Sequence, residues 1–163
     1  MIGEMNRQVM GPSKSKLGDM DAKWMILIAY FGSVVLGFIP GAQFVAWLVP
    51  LVVFFIDKEN KLIAFHAMQS FLLGVVAAVI YAILGIIMLA TVAGAVLGMA
   101  TLNPVAFGAG AIAAIIFGVI TAIIGIAVLI FAILACIKGF NYEIYEIPLV
   151  GKWAERIVFK TSN

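Results

Sequence analysis

The chain has 163 residues, of which 65% are hydrophobic and 11% charged, whereas a soluble domain is normally about half apolar and about a quarter charged. That excludes a water-soluble monomer. A net charge of +2 over ten basic and eight acidic residues leaves no continuous basic face, which excludes nucleic acid as a partner.

All charges fall within 1–23, 57–61 and 138–163. The first patch mixes Arg7, Lys14, Lys16 and Lys23 with Glu4, Asp19 and Asp21, too long and acidic for the basic start of a signal peptide. With Gly11-Pro12-Ser13 inside it, residues 1–23 read as a mobile cytoplasmic segment. The first apolar unit, 24–56, breaks at Pro40-Gly41 into arms 24–39 and 42–56. These are about 24 and 22 Å of helix, against a hydrocarbon core of about 30 Å. Two crossings helped by local thinning are expected, with a re-entrant hairpin as the alternative. Pro50 lies inside the second arm, where it is expected to free the carbonyl of Ala46 and kink the helix.

Residues 62–137 contain no Asp, Glu, Lys or Arg, far more than the roughly 20 residues that cross a bilayer as a helix. One stretch reads as a turn, with Gly94, Gly98, Thr101, Asn103, Pro104, Gly108 and Gly110, and Asn103-Pro104 as its apex. The flanking runs, 62–93 and 109–137, are each about 45 Å of helix. The third span carries small residues at steps of four, Gly74, Ala78 and Ala82; the fourth carries Gly110, Ala114, Gly118 and Ala122, with Gly125 alongside. Such rows let two backbones approach, so the third and fourth spans are expected to pack tightly. The fold class is therefore an all-α integral membrane protein with four transmembrane helices in two hairpins, short (24–56) and long (62–137). The four-helix membrane domain is 24–137. Every Lys and Arg then lies at one face, the cytoplasmic one, with both termini.

The polar residues of the third span gather at its start, in Phe65-His66-Ala67-Met68-Gln69-Ser70. His66, Gln69 and Ser70 are spaced to share one helical face. They can serve as a proton relay or pH sensor through His66, or as hydrogen-bond partners for the broken backbone near Pro50 or the Asp57 loop. One His without an intramembrane carboxylate falls short of the three or four ligands zinc needs. Ser33 and Ser70 have no base at a fixed spacing, and lone Cys136 reads as packing. No metal, cofactor or enzymatic activity is expected.

Residues 138–163 read as a cytoplasmic interfacial tail. Residues 142–147 alternate and stop at Pro148, as an extended return along the membrane surface would. Val150, Trp153, Ala154, Ile157 and Val158 then form a stripe, with Lys152, Glu155, Arg156 and Lys160 elsewhere, as in an interfacial amphipathic helix. Trp24, Tyr142, Tyr145 and Trp153 suit the headgroup level.

The Phe65–Ser70 element behind a short charged loop, with the tail Tyr142-Glu143-Ile144-Tyr145-Glu146-Ile147-Pro148-Leu149-Val150-Gly151-Lys152, resembles a family of small prokaryotic four-helix membrane proteins. That family is related to the channel-associated subunit of the chloroplast inner-envelope import translocon. His66, Gln69, Tyr145, Pro148 and Gly151 are the matching positions. The resemblance implies a four-span fold and, more distantly, a part in moving or inserting polypeptides. The expected function is a non-enzymatic subunit of the prokaryotic cell membrane that binds protein partners or polypeptide segments. The alternatives are an oligomeric channel or small-molecule transporter lined by His66, Gln69, Ser70 and Tyr81, and a membrane organiser or stress-linked scaffold acting through its tail. The expected partners are the lipid bilayer and a membrane protein or a second copy.

Overall fold

A computed structural model describes residues 9–160; residues 1–8 and 161–163, and with them Glu4 and Arg7 of the expected mobile segment, lie outside the described residues. The described chain forms helices α1 (Ala22–Gly37), α2 (Gln43–Ala46), α3 (Val49–Ile56), α4 (Lys61–Ala100), α5 (Pro104–Phe140) and α6 (Val150–Lys160). Among the described residues there is no strand, only two isolated bridges, Val9 with Glu143 and Lys14 with Asp21. The chain divides into two compact units, Met1–Val75 with Ile130–Asn163, and Val76–Leu129.

In the first unit, α1 starts where the Asp21 carboxylate accepts the Lys23 backbone N–H at 3.1 Å, a side-chain cap for an otherwise orphaned donor. The helix buries Ala22, Met25, Ile26, Ala29 and Tyr30, the spacing of a single face. A Cβ on Gly32 would lie 2.9 Å from Val49 Cγ1, so this glycine sets how closely α3 approaches. The second arm corrects an expectation. Pro50 does not kink a continuous helix; the chain leaves helical structure after Ala46 and restarts at Val49, with Pro50 in the first turn of α3. There its missing N–H is no loss and its fixed φ suits the helix.

The second unit is a hairpin of the C-terminal part of α4 and the N-terminal part of α5. Both helices run further than the glycines predict: Gly94 and Gly98 are still in α4, Gly108 and Gly110 already in α5. Only 101–103 turn, with Asn103-Pro104 at the exit as expected. The Leu102 N–H reaches Met99 O and the Asn103 N–H reaches Gly98 O, the paired closure of a Schellman end. Asn103 Oδ1 then accepts the N–H groups of Val105 and Ala106, both at 3.1 Å. Leu102 occupies the left-handed position, φ 51, which costs a residue with a Cβ about 1–2 kcal/mol. Leu102→Gly is expected to raise the thermal midpoint of the detergent-solubilised protein; an unchanged or lower midpoint would show that the turn is not strained.

The small residues do pack, along a different line. A Cβ on Gly110 would lie 2.5 Å from Ala95 N and 2.8 Å from Thr91 O, and one on Gly98 would run into the backbone of Ala106 and Phe107. Gly118 faces Met88, and Gly125 faces the Tyr81 hydroxyl. The shielded line on α4 is Ala77, Tyr81, Leu84, Met88, Thr91, Ala95 and Gly98, alternating steps of four and three. Ala78, Ala82 and Ala122 are exposed, and nothing approaches the space beside Gly74. Repeated steps of four drift about 40° each around a helix, whereas four and three alternating hold one face. Ala114, at a four-step from Gly110 and half-shielded, stays on the shielded side.

The outer faces of the same helices, including Val79, Ile83, Ile86, Leu89, Ile112, Ile115, Val119 and Ile123, are exposed. With 40 and 37 residues, α4 and α5 are long and apolar enough to cross a membrane, and such faces are stable only against lipid or other apolar surface.

Candidate functional site

The polar face predicted at the start of α4 is the centre of the first unit. Phe65, His66 and Gln69 are completely buried. Gln69 Nε2 donates to the Tyr30 hydroxyl at 2.8 Å and to Tyr145 O at 3.0 Å, while its Oε1 accepts the Ile147 N–H at 2.9 Å. His66 Nε2 lies 3.0 Å from Glu143 O and its Nδ1 3.4 Å from the Tyr30 hydroxyl. A single proton assignment completes every bond: Nε2–H donates to Glu143, and Tyr30 accepts from Gln69 while donating to Nδ1. Ser70 Oγ donates to Ala29 O at 2.7 Å. Phe65 meets the Phe159 ring at 6.3 Å.

These partners correct the sequence reading. His66 and Gln69 bind neither the backbone near Pro50 nor the Asp57 loop, but the backbone of residues 143–147, and they hold α1, α4 and the tail together. The extended tail suits this role because its backbone groups are not used up within a helix or a sheet. Its buried side chains are Ile144 and Ile147, a step of three where alternation predicts two. Two glycines make the approach close enough. A Cβ on Gly139 would lie 2.8 Å from Ile26 Cγ2, and one on Gly151 would lie 2.7 Å from Glu146 Cα and 2.9 Å from Gln69 Oε1. Pro148, which is exposed, ends the extended run, and its carbonyl accepts the Val150 N–H at 3.0 Å.

α6 then folds back with Val150, Ala154 and Val158 buried, and Lys61 Nζ donates to Val158 O at 3.0 Å. The predicted stripe is thus divided. Three of its five residues face the protein, whereas Trp153 and Ile157 are exposed. The side chain of Lys160 lies outside the described residues.

All three charged patches meet around this lock. Asp57 is 1% exposed and accepts from Ser15 Oγ at 2.5 Å and from the Lys16 N–H at 2.7 Å. Lys16 pairs with Glu59 at 2.8 Å, and Lys138 with Glu143 at 2.8 Å. From Val9 onward, the segment expected to be mobile is thus tied to the loop before α4 and to the tail. The Tyr142 hydroxyl donates to the Asp21 carboxylate at 2.8–2.9 Å, which gives a tyrosine a reason to occupy a left-handed position, φ 57.

The Lys23 backbone N–H, and after it Tyr142, hold the Asp21 carboxyl below its usual range, and the same bond pushes the Tyr142 hydroxyl up. Burial pushes Glu146 up, with Glu155 adding and Lys152 opposing. A carboxylate depressed in the fold stabilises it above the unfolded pKa, and that contribution is lost as pH falls through the folded value. Acidification through the carboxylate range is therefore expected to loosen Tyr142 from α1. Glu146 acts in the opposite sense, its contribution fading as pH rises. Proteolytic clipping of residues 141–149 measured against pH should lose its acid-side component in Asp21→Asn.

Tyr30 escaped the sequence reading, although it is the only hydroxylated aromatic residue in α1, which is signal enough. Tyr81, placed in a pore by the channel reading, faces Gly125 within the hairpin. Cys136 is buried beside an apolar groove of about 340 Å³ that also takes in Phe31, Ile133 and Phe140. Among the described residues, no three His, Cys, Asp or Glu side chains are grouped to hold a metal ion.

Two long apolar helices, shorter apolar helices and a tail locked where the charged patches meet define an all-helical membrane protein. The chain matches the MamF_MmsF family, described as the magnetosome magnetite crystal formation protein family, over residues 21–154, and it belongs to that family. It is thus a membrane protein of a family involved in crystal formation; a kinship with the chloroplast translocon has no support in this match. No curated protein and no solved structure matches the chain.

Proposed function

We propose that this protein is a non-enzymatic component of magnetite crystal formation that works by presenting a folded polar platform to membrane-protein partners, a second copy included. The reading is carried by the use made of its polar side chains. His66 and Gln69 are spent on holding the tail, with Tyr30 bonded to both and Ser70 bonded to Ala29 of α1, so the long helices offer their surroundings apolar surface. Lys58, Glu59, Lys152, Trp153 and Arg156 stand exposed around the lock, where charge and an amphipathic ring give a partner both attraction and register. The role implied by the translocon resemblance is a narrower form of the same reading, with a polypeptide in transit as the partner.

The test is the double substitution Lys152→Glu with Arg156→Glu, in cells that form magnetite. The variant is expected to insert normally, to lose partners after gentle extraction and crosslinking, and to give altered crystals. An unchanged partner set together with unchanged crystals would refute the reading.

A further inference from the structure

The first hairpin ends in an unusual tip. Residues 38–48 contain no charge, and Gln43 is their one side chain with an amide or hydroxyl group. Phe38, Phe44 and Trp47 are 84, 76 and 56% exposed. Yet the backbone closes on itself through short-range bonds: Phe38 N–H to Val35 O, Ile39 to Leu36, Ala42 to Ile39, Val45 and Ala46 to Ala42, and Leu48 to Val45. Even the Trp47 indole N–H donates inward, to Phe44 O at 3.0 Å. An exposed turn in water has no need of this, because water satisfies its N–H groups. In hydrocarbon every one must be met from within.

The depth of the tip can be read along α4. Lys61 is the last charge before the uncharged run and is anchored to α6, which places it at the polar boundary. Trp47 stacks on Phe71, with centroids 6.2 Å apart and planes at 25°. Phe71 lies about 15 Å further along the helix than Lys61, half the roughly 30 Å hydrocarbon core. Both limbs stop short of the far face: α1 has 16 residues and α3 eight, about 24 and 12 Å of helix against the roughly 30 Å core.

We infer that residues 22–56 form a re-entrant hairpin. It enters the bilayer from the face that bears Lys58, turns inside the hydrocarbon core and returns to the same face, its tip surrounded by lipid acyl chains. The chain then crosses the membrane with α4 and α5 only.

The inference is tested on the full chain in lipid vesicles, with Cys136→Ala removing the native thiol and Phe44→Cys, or separately Val45→Cys, supplying a label site. Lys58→Cys and Leu102→Cys mark the two faces. A membrane-impermeant maleimide is expected to label Lys58→Cys from one face and Leu102→Cys from the other, and to label either tip cysteine about tenfold more slowly from both, as burial in hydrocarbon requires. A fluorophore on the tip should be quenched more by lipids brominated near the chain ends than by lipids brominated near the headgroup. Labelling of both tip positions from the face opposite Lys58 would establish a full crossing, and labelling from the Lys58 face would place the tip outside the hydrocarbon. Either result overturns the inference.

Discussion

Gln69→Ala is expected to release the tail and to destabilise the first unit by about 4 kcal/mol or more. Two groups lose the amide outright, the Tyr145 carbonyl and the Ile147 N–H, while the Tyr30 hydroxyl loses a donor and keeps His66, and a buried polar group left unmet costs about 1–3 kcal/mol. That is a large part of the roughly 5–15 kcal/mol that holds a typical domain. Gln69→Glu separates the parts: it keeps the acceptor for Ile147 but loses both donors. The measurement is protease cleavage within 141–149 alongside thermal unfolding in detergent. Cleavage no faster than in the parent protein would mean that Ile144, Ile147 and the buried face of α6 hold the tail without the amide.

The second large effect belongs to the hairpin of α4 and α5. Gly110→Val places its first carbon where Ala95 N and Thr91 O already lie, and neither is the end of a flexible side chain that can move aside. Overpacking of well-fitted cores costs about 1–3 kcal/mol, and contact with backbone belongs at or beyond the upper end. Gly85→Ala is the matched control, because nothing lies within 4 Å of its added carbon. There the gain in helix propensity, about 1 kcal/mol, is expected to stand alone. Equal thermal midpoints for the two variants would refute the close approach at Gly110.

How far the sequence could be read depended on the kind of signal. Charge placement and apolar length were explicit, and the long helices followed from them. Asn103-Pro104 marked the turn because an amide cap and a ring without an N–H suit the start of a helix. Helix ends were less legible. Gly94, Gly98, Gly108 and Gly110 looked like a loop, but in lipid glycine is as much a packing residue as a breaker, and only the facing helix decides which. The row Gly74, Ala78, Ala82 failed because steps of four leave the contact face. His66 and Gln69 were recognisable as a pair with structural work to do. Their partners were not, since backbone carbonyls more than seventy residues away along the chain carry no residue-specific mark. Pro50 was misjudged for a related reason: a proline that kinks a helix and one that begins it look alike until the break before it is seen.

The uneven lengths of these helices have a mechanical consequence. On the re-entrant reading, the first hairpin adds most of its cross-section to one leaflet, whereas α4 and α5 add theirs to both. The crowded leaflet needs more area than its opposite, and a sheet with unequal areas relaxes by bending, convex toward the side that bears Lys58. A membrane rich in this protein would favour small radii, and the protein in turn would collect where the bilayer is already strongly curved.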